Sequence, residues 1–87
     1  MAKVEIYTRD FCGYCARAKS LLVSKGVVFE EIDAGSDPAK RQEMVSRAGG
    51  ASTFPQIFIN GAHIGGCDDM HDLEARGRLD AMLNAAG

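Results

Sequence analysis

The sequence predicts an α/β fold, a four-stranded mixed sheet with helices on both faces, in the order βαβ–α–ββ–α. Three observations predict it. A strand, an amphipathic helix and a second strand follow one another within about thirty residues at the start, which is a βαβ unit with parallel strands and a right-handed crossover. Near the other end, Asn60-Gly61 separates two short apolar runs, the strongest two-residue hairpin signal, so those strands pair antiparallel. Between these units, Asp37-Pro38 and Gly49-Gly50 bracket a stretch of helical periodicity.

Each element has its own local reason. Lys3 to Thr8 alternates, with Val4 and Ile6 on one face and Glu5 and Tyr7 on the other, as a strand does. After Arg9-Asp10-Phe11, the residues Tyr14, Ala18, Leu21 and Leu22 recur at helical spacing, and Lys25-Gly26 ends that helix. Val27 to Ile32 is rich in β-branched residues and forms the second strand. Asp33 to Asp37 turns, Asp37 caps, and Arg41, Met44, Val45 and Ala48 give the second helix. Gln56 to Ile59 is the third strand, and His63-Ile64 a short fourth. Gly65-Gly66-Cys67 then reads as a loop, with Asp68 or Asp69 capping a last helical region that Gly77 splits in two.

The 87 residues suit a single domain, 1–87, and 46% hydrophobic with 25% charged residues is the balance of a globular chain rather than a disordered one. A net charge of −2 offers no basic excess to neutralise phosphates, so nucleic acid is not the expected partner. No apolar run approaches the roughly 18 residues that would span a membrane. Met1 to Ile6 reads directly as a strand, without the apolar stretch of a signal peptide, and a cytoplasmic location is expected.

Three cysteines, Cys12, Cys15 and Cys67, are too few for a secreted disulfide scaffold. Cys12 and Cys15 are spaced C-x-x-C at the point where the first strand feeds the first helix, which suggests redox chemistry or metal binding. Unpaired backbone N–H groups and the helix dipole favour a thiolate at Cys12, with Arg9 able to add positive charge. Cys15 lies one turn further on, sheltered but within disulfide reach. On this reading the Cys12 sulfur is the exposed one. A zinc site from Cys12, Cys15, Cys67 and His71 is the metal alternative. His63 and His71 otherwise read as surface residues.

Four segments together resemble the glutaredoxins, glutathione-dependent members of the thioredoxin-like fold. They are Cys12-Gly13-Tyr14-Cys15 after the first strand, Thr53-Phe54-Pro55 before the third, Asn60-Gly61 in the hairpin, and Gly65-Gly66-Cys67-Asp68 before the third helix. The likeness covers essentially the whole chain. It implies a thiol–disulfide oxidoreductase acting on glutathionylated or disulfide-containing proteins, with Cys12 as nucleophile, Cys15 as resolving thiol and glutathione as reductant. It implies a glutathione groove as well. Backbone N–H groups at Gly66, Cys67 and Asp68 would bind the γ-glutamyl carboxylate, and the Asp68 side chain its ammonium. Thr53 and Phe54, before a cis Pro55, would pair main chain to main chain with the cysteinyl part. Tyr14 would form a wall, and Arg9 and Gln42 would take the glycyl carboxylate. The chain departs from the commonest pattern where Gly13 replaces a proline, where Phe54 replaces a smaller branched residue, and in the length of Gly49-Gly50-Ala51-Ser52. Gly13 adds an expectation. A monomer could pair into a homodimer bridged by a 2Fe–2S cluster, with one Cys12 from each subunit and two glutathiones as ligands.

Overall fold

The computed structural model describes residues 2–85. In chain order the elements are β1 (Val4–Thr8), α1 (Gly13–Ser24), β2 (Phe29–Asp33), α2 (Pro38–Arg47), β3 (Gln56–Ile59), β4 (Ala62–Gly65), α3 (Cys67–Ala75) and α4 (Leu79–Asn84). The strands form one sheet in the order β2-β1-β3-β4. β1 runs parallel to β2, antiparallel to β3, and β3 pairs antiparallel with β4. The fold is thioredoxin-like, and no helix of the described residues is long and apolar enough to cross a membrane.

β1 lies inside the sheet and is buried along its whole length, because both of its faces are covered. Val4 and Ile6 pack with Ala18 and Leu22 of α1, Met70 of α3 and Leu79 and Leu83 of α4. Tyr7 faces the other way, into a smaller cluster with Met44 of α2, Ala48 just past its end and Phe58 of β3. Glu5 shares that second face and is 8% exposed, so the polar half of the strand's alternation meets a helix instead of water. α2 supplies what a buried carboxylate requires: Arg47 donates to both Glu5 oxygens at 3.0 and 3.1 Å, and to the Tyr7 hydroxyl at 2.8 Å. The Tyr7 hydroxyl in turn donates to Glu43 at 2.6 Å.

Local signals set most boundaries. The Asp37 side chain accepts from the Ala39 and Lys40 N–H groups, with Pro38 opening α2. Asn60 and Gly61 both have positive φ, 52° and 81°, as a tight two-residue hairpin requires. Two boundaries differ from the sequence expectation. β2 begins at Phe29, the partner of Val4, so Val27 and Val28 belong to the connection and Val28 is exposed. α3 begins at Cys67, with Gly66 as its cap. Asp69 serves that cap from within the helix, its carboxylate accepting from the Gly66 N–H at 2.9 Å. The last helical region does break at Gly77, where φ is +70°. Lys25 fastens the far end of α1 to Glu74 of α3 and Asp80 of α4, at 2.6 and 2.8 Å.

Candidate active site

β1 ends at Thr8, and three loop residues carry the chain to Cys12, which caps α1. Its extended backbone (φ −114°, ψ 103°) turns the sulfur back over the first turn, where it accepts from the Cys15 N–H at 3.1 Å. Cys12 and Cys15 are joined as a disulfide with their Cα atoms 5.2 Å apart. The expectation of an exposed Cys12 needs correcting in this oxidised state. Cys12 is 9% exposed and Cys15 2%, because the S–S bond and the helix turn cover both sulfurs. Cys12 remains the more accessible of the two. Tyr14, between them in the chain, is more than half exposed, with the Arg17 guanidinium 5.9 Å from its ring centre.

A groove of about 430 Å³ is lined by Tyr14, the residue that precedes Cys15, though by neither Cys12 nor Cys15 in this oxidised state. Tyr14, Thr53, Phe54 and Pro55 line one part of it, and Gly66, Cys67 and Asp68 at the start of α3 line another. The Phe54–Pro55 peptide is cis. The α3 N-terminus brings unpaired N–H groups and the positive end of a helix dipole to the groove, beside the exposed Asp68 carboxylate. Cys67 is buried, and burial pushes its thiol pKa up, so it stays a neutral thiol near neutral pH. Two residues assigned to this groove from the sequence do not line it. Arg9 Nη1 donates to the carbonyls of Asp10 and Phe11 at 3.0 and 3.3 Å, spending its guanidinium on its own loop. Gln42 is exposed on α2 and outside the lining, while its neighbour Arg41 lies 5.8 Å from the Phe54 ring centre.

Sequence reasoning missed a polar chain in the groove wall, Gln56 and His63, which line it together with Thr53. Gln56, almost fully buried, donates its amide N–H to the carbonyl and hydroxyl of Thr53, at 3.0 and 3.1 Å. That turns its Oε1 toward His63, 2.6 Å from Nε2, so His63 is the donor there. The His63 ring also lies 5.0 Å from the Phe58 ring centre. His63 is thus an exposed residue, as the sequence suggests, but its ring is held in place. A polar residue opening an otherwise apolar strand, as Gln56 does, was the available signal. His71 is half-buried, with its Nε2 covered and without a partner. The zinc alternative fails on geometry: among the described residues no three or more His, Cys, Asp or Glu side chains gather as a metal site.

The family comparisons agree with this geometry. A model of the glutaredoxin family matches residues 4–64. Glutaredoxin 3 of Escherichia coli K12 is 58% identical over 83 residues, covering 95% of this chain and 99% of that protein. The solution structure of glutaredoxin from Brucella melitensis is 57% identical, with a TM-score of 0.83, covering 95% of this chain and 89% of that one. A crystal structure of a buckwheat glutaredoxin–glutathione complex is 33% identical, with a TM-score of 0.84, covering 94% and 76%. A C-x-x-C disulfide at the head of the first helix, on a thioredoxin-like sheet and within this close kinship, has one meaning: the chain belongs to the glutaredoxin family, the glutathione-dependent thiol–disulfide oxidoreductases.

Proposed function

We propose that this glutaredoxin reduces protein–glutathione mixed disulfides and protein disulfides, with Cys12 as nucleophile and Cys15 as resolving thiol. The observation that carries this reading is the Cys12 sulfur, which caps α1 and belongs to the more accessible cysteine of the pair. Once the disulfide is reduced, the N–H that now meets that sulfur favours its thiolate. The Cys12 thiolate attacks the glutathione sulfur of a mixed disulfide, and the protein thiolate leaves and takes a proton from water. A second glutathione, as thiolate, attacks the glutathione sulfur bound to Cys12. It departs as oxidised glutathione and restores the Cys12 thiolate.

Glutathione is held by complementary chemistry. Its γ-glutamyl carboxylate meets the N–H groups of Cys67 and Asp68, the Gly66 N–H being taken by the Asp69 carboxylate, and its ammonium meets the Asp68 carboxylate. Its cysteinyl backbone pairs with the main chain at Thr53 and Phe54, with Pro55 behind and Tyr14 as a wall. That a buckwheat glutaredoxin of the same fold forms a complex with glutathione supports glutathione as the ligand. Arg9 and Gln42 are left out of the placement, since neither lines the groove. One chain is the active unit, working in the cytoplasm, where a potential of about −200 to −230 mV lets a glutathione pool keep it reduced.

The test is a glutathione-coupled assay on each cysteine variant. Cys12→Ser should lose every transfer activity. Cys15→Ser should keep the removal of glutathione from proteins while losing the reduction of protein disulfides. Deglutathionylation at wild-type rates by Cys12→Ser would reject the assignment.

A separate cluster-carrying role rests on Gly13, where an added Cβ would meet nothing within 4 Å, leaving the backbone beside Cys12 uncrowded. Two copies would each give Cys12, with two glutathiones completing the ligands of a 2Fe–2S cluster. Anaerobic reconstitution with iron, sulfide and glutathione should then give a brown dimer that Gly13→Pro weakens. A colourless monomer removes this role and leaves the reductase.

A further inference from the structure

Among the described residues, Phe11 is the most exposed large apolar side chain, its ring standing wholly in solvent immediately before Cys12. A lone exposed phenylalanine would need no explanation. Its backbone does. Phe11 has φ 55°, a left-handed conformation that bulky residues rarely adopt. Such a conformation persists only where its surroundings over-determine it, and it gathers at working sites.

Two contacts hold this one. The Arg9 guanidinium donates to the carbonyls on either side of the Phe11 amide, those of Asp10 and Phe11. Arg9 itself lies against Gly35 of the β2–α2 connection, so closely that a Cβ on Gly35 would sit 3.0 Å from the Arg9 Cα. The loop is thus fixed from outside and from within, and what it presents is an aromatic ring. That ring is not part of the groove wall.

We propose that Phe11 seats the residues flanking the reacting cysteine of a protein disulfide, and so favours peptide disulfides over small glutathione disulfides. This rests on Cys12 being the attacking sulfur. In the protein-disulfide route, the Cys12 thiolate attacks one sulfur of the substrate bond. The other substrate sulfur leaves as a thiolate and takes a proton from water, and the peptide is now joined to Cys12. Cys15, having lost its proton to water, attacks the Cys12 sulfur and expels the second peptide thiolate. Two glutathiones then reduce the Cys12–Cys15 bridge and leave as oxidised glutathione.

While joined to Cys12, an extended peptide runs out from its cysteine in both directions. One arm lies in the groove against Thr53. The other leaves the groove beside the residue next to Cys12, which is Phe11. Glutathione is a tripeptide that the groove accommodates whole, so it has no second arm to offer. An aliphatic or aromatic side chain next to the substrate cysteine would cover the Phe11 ring. The exposed Arg9 and Asp10, which precede Phe11 in the chain, would give that contact a polar edge.

The experiment compares Phe11→Ser with wild type on three substrates. These are a short peptide disulfide with leucine beside its cysteine, the same peptide with serine there, and the mixed disulfide of glutathione with 2-mercaptoethanol. Phe11→Ser should lower kcat/KM for the leucine peptide about tenfold more than for the small mixed disulfide, the scale of one partly buried ring. It should also erase the wild-type preference for leucine over serine, and Phe11→Leu should restore most of it. An equal fall on all substrates would mean that Phe11 acts through the geometry of Cys12 and would overturn the inference. So would an unchanged leucine preference. Failure of the wild type to turn over the small mixed disulfide would instead reject the reading on which the inference rests, and the inference with it.

Discussion

Arg47→Met is the substitution that tests the charged network under the sheet. Arg47 makes two hydrogen bonds to Glu5, at 3.0 and 3.1 Å, and one to Tyr7 at 2.8 Å. Its guanidinium also lies 4.1 Å from the Phe58 ring centre. Methionine keeps much of the stem's packing and removes the charge. Tyr7 keeps a partner in Glu43, but Glu5, with a side chain 11% exposed, loses the guanidinium that bonds both of its oxygens. Removing one partner of a fully buried pair costs about 3–5 kcal/mol. The Arg47 side chain is 30% exposed, so water can reach the vacated position, and we take roughly half of that range, about 2 kcal/mol. At about 4–8 °C per kcal/mol for a domain of this size, Tm should fall by about 8–16 °C. The sign of the pH dependence follows from Glu5. The Arg47 hydrogen bond, outweighing burial, holds the Glu5 carboxyl below its ordinary value of 4.5. A depressed carboxyl stabilises the fold above that ordinary value and stops doing so as pH falls through the folded pKa. The gap between wild type and variant, measured by thermal unfolding, should therefore be full at pH 7 and close progressively below about pH 4. Adding Glu5→Gln to Arg47→Met should recover about 1 kcal/mol at pH 7, because the stranded charge is gone. A Tm loss that is the same at acid and neutral pH, with no recovery in the double variant, would refute the reasoning.

His63→Phe should raise KM for glutathione about threefold to tenfold in steady-state assays with kcat within about twofold, because Gln56 loses the donor that keeps its amide turned to Thr53. An unchanged KM would show that Thr53 holds its position without that chain. Gly65→Ala places a Cβ 2.7 Å from the Asp69 Cγ at a φ of +115°, so it should both strain the backbone and displace the carboxylate that caps α3. The expected loss is about 2 kcal/mol in thermal unfolding, together with weaker glutathione binding by calorimetry. Wild-type values in both measurements would mean that the cap is dispensable.

What was legible in the sequence is what neighbouring residues decide among themselves. Asp37-Pro38, Asn60-Gly61 and the C-x-x-C at the head of a helix each act through bonds a few residues long, and each falls where the pattern placed it. The start of β2 was misread because it depends on pairing with Val4, a partner 25 residues away in sequence, and no residue near Val27 announces that register. The cap of α3 is Gly66, ahead of both aspartates, and Asp69 reaches it only by folding back from inside the helix, a contact that the residue types alone do not announce.

Long polar side chains were the hardest to place, and the reason is physical. Arg9 was near enough to the sulfurs to suggest a ligand contact, yet two carbonyls of its own loop were nearer still. Gln42 could have been excluded. The inward face of α2 was already marked by Arg41, Met44, Val45 and Ala48, and position 42 falls off it. Glu5 shows the converse. Its alternation with Val4 and Ile6 read correctly as a second face, but only the packing of α2 decided that this face would be dry and that Arg47 would answer the charge. A backbone follows rules its sequence carries locally, whereas a guanidinium or a carboxylate takes its partner from what the fold brings within about 3 Å. Arg9 therefore has a consequence for the chemistry that its position alone did not suggest: its bonds to the Asp10 and Phe11 carbonyls hold the backbone that leads into Cys12.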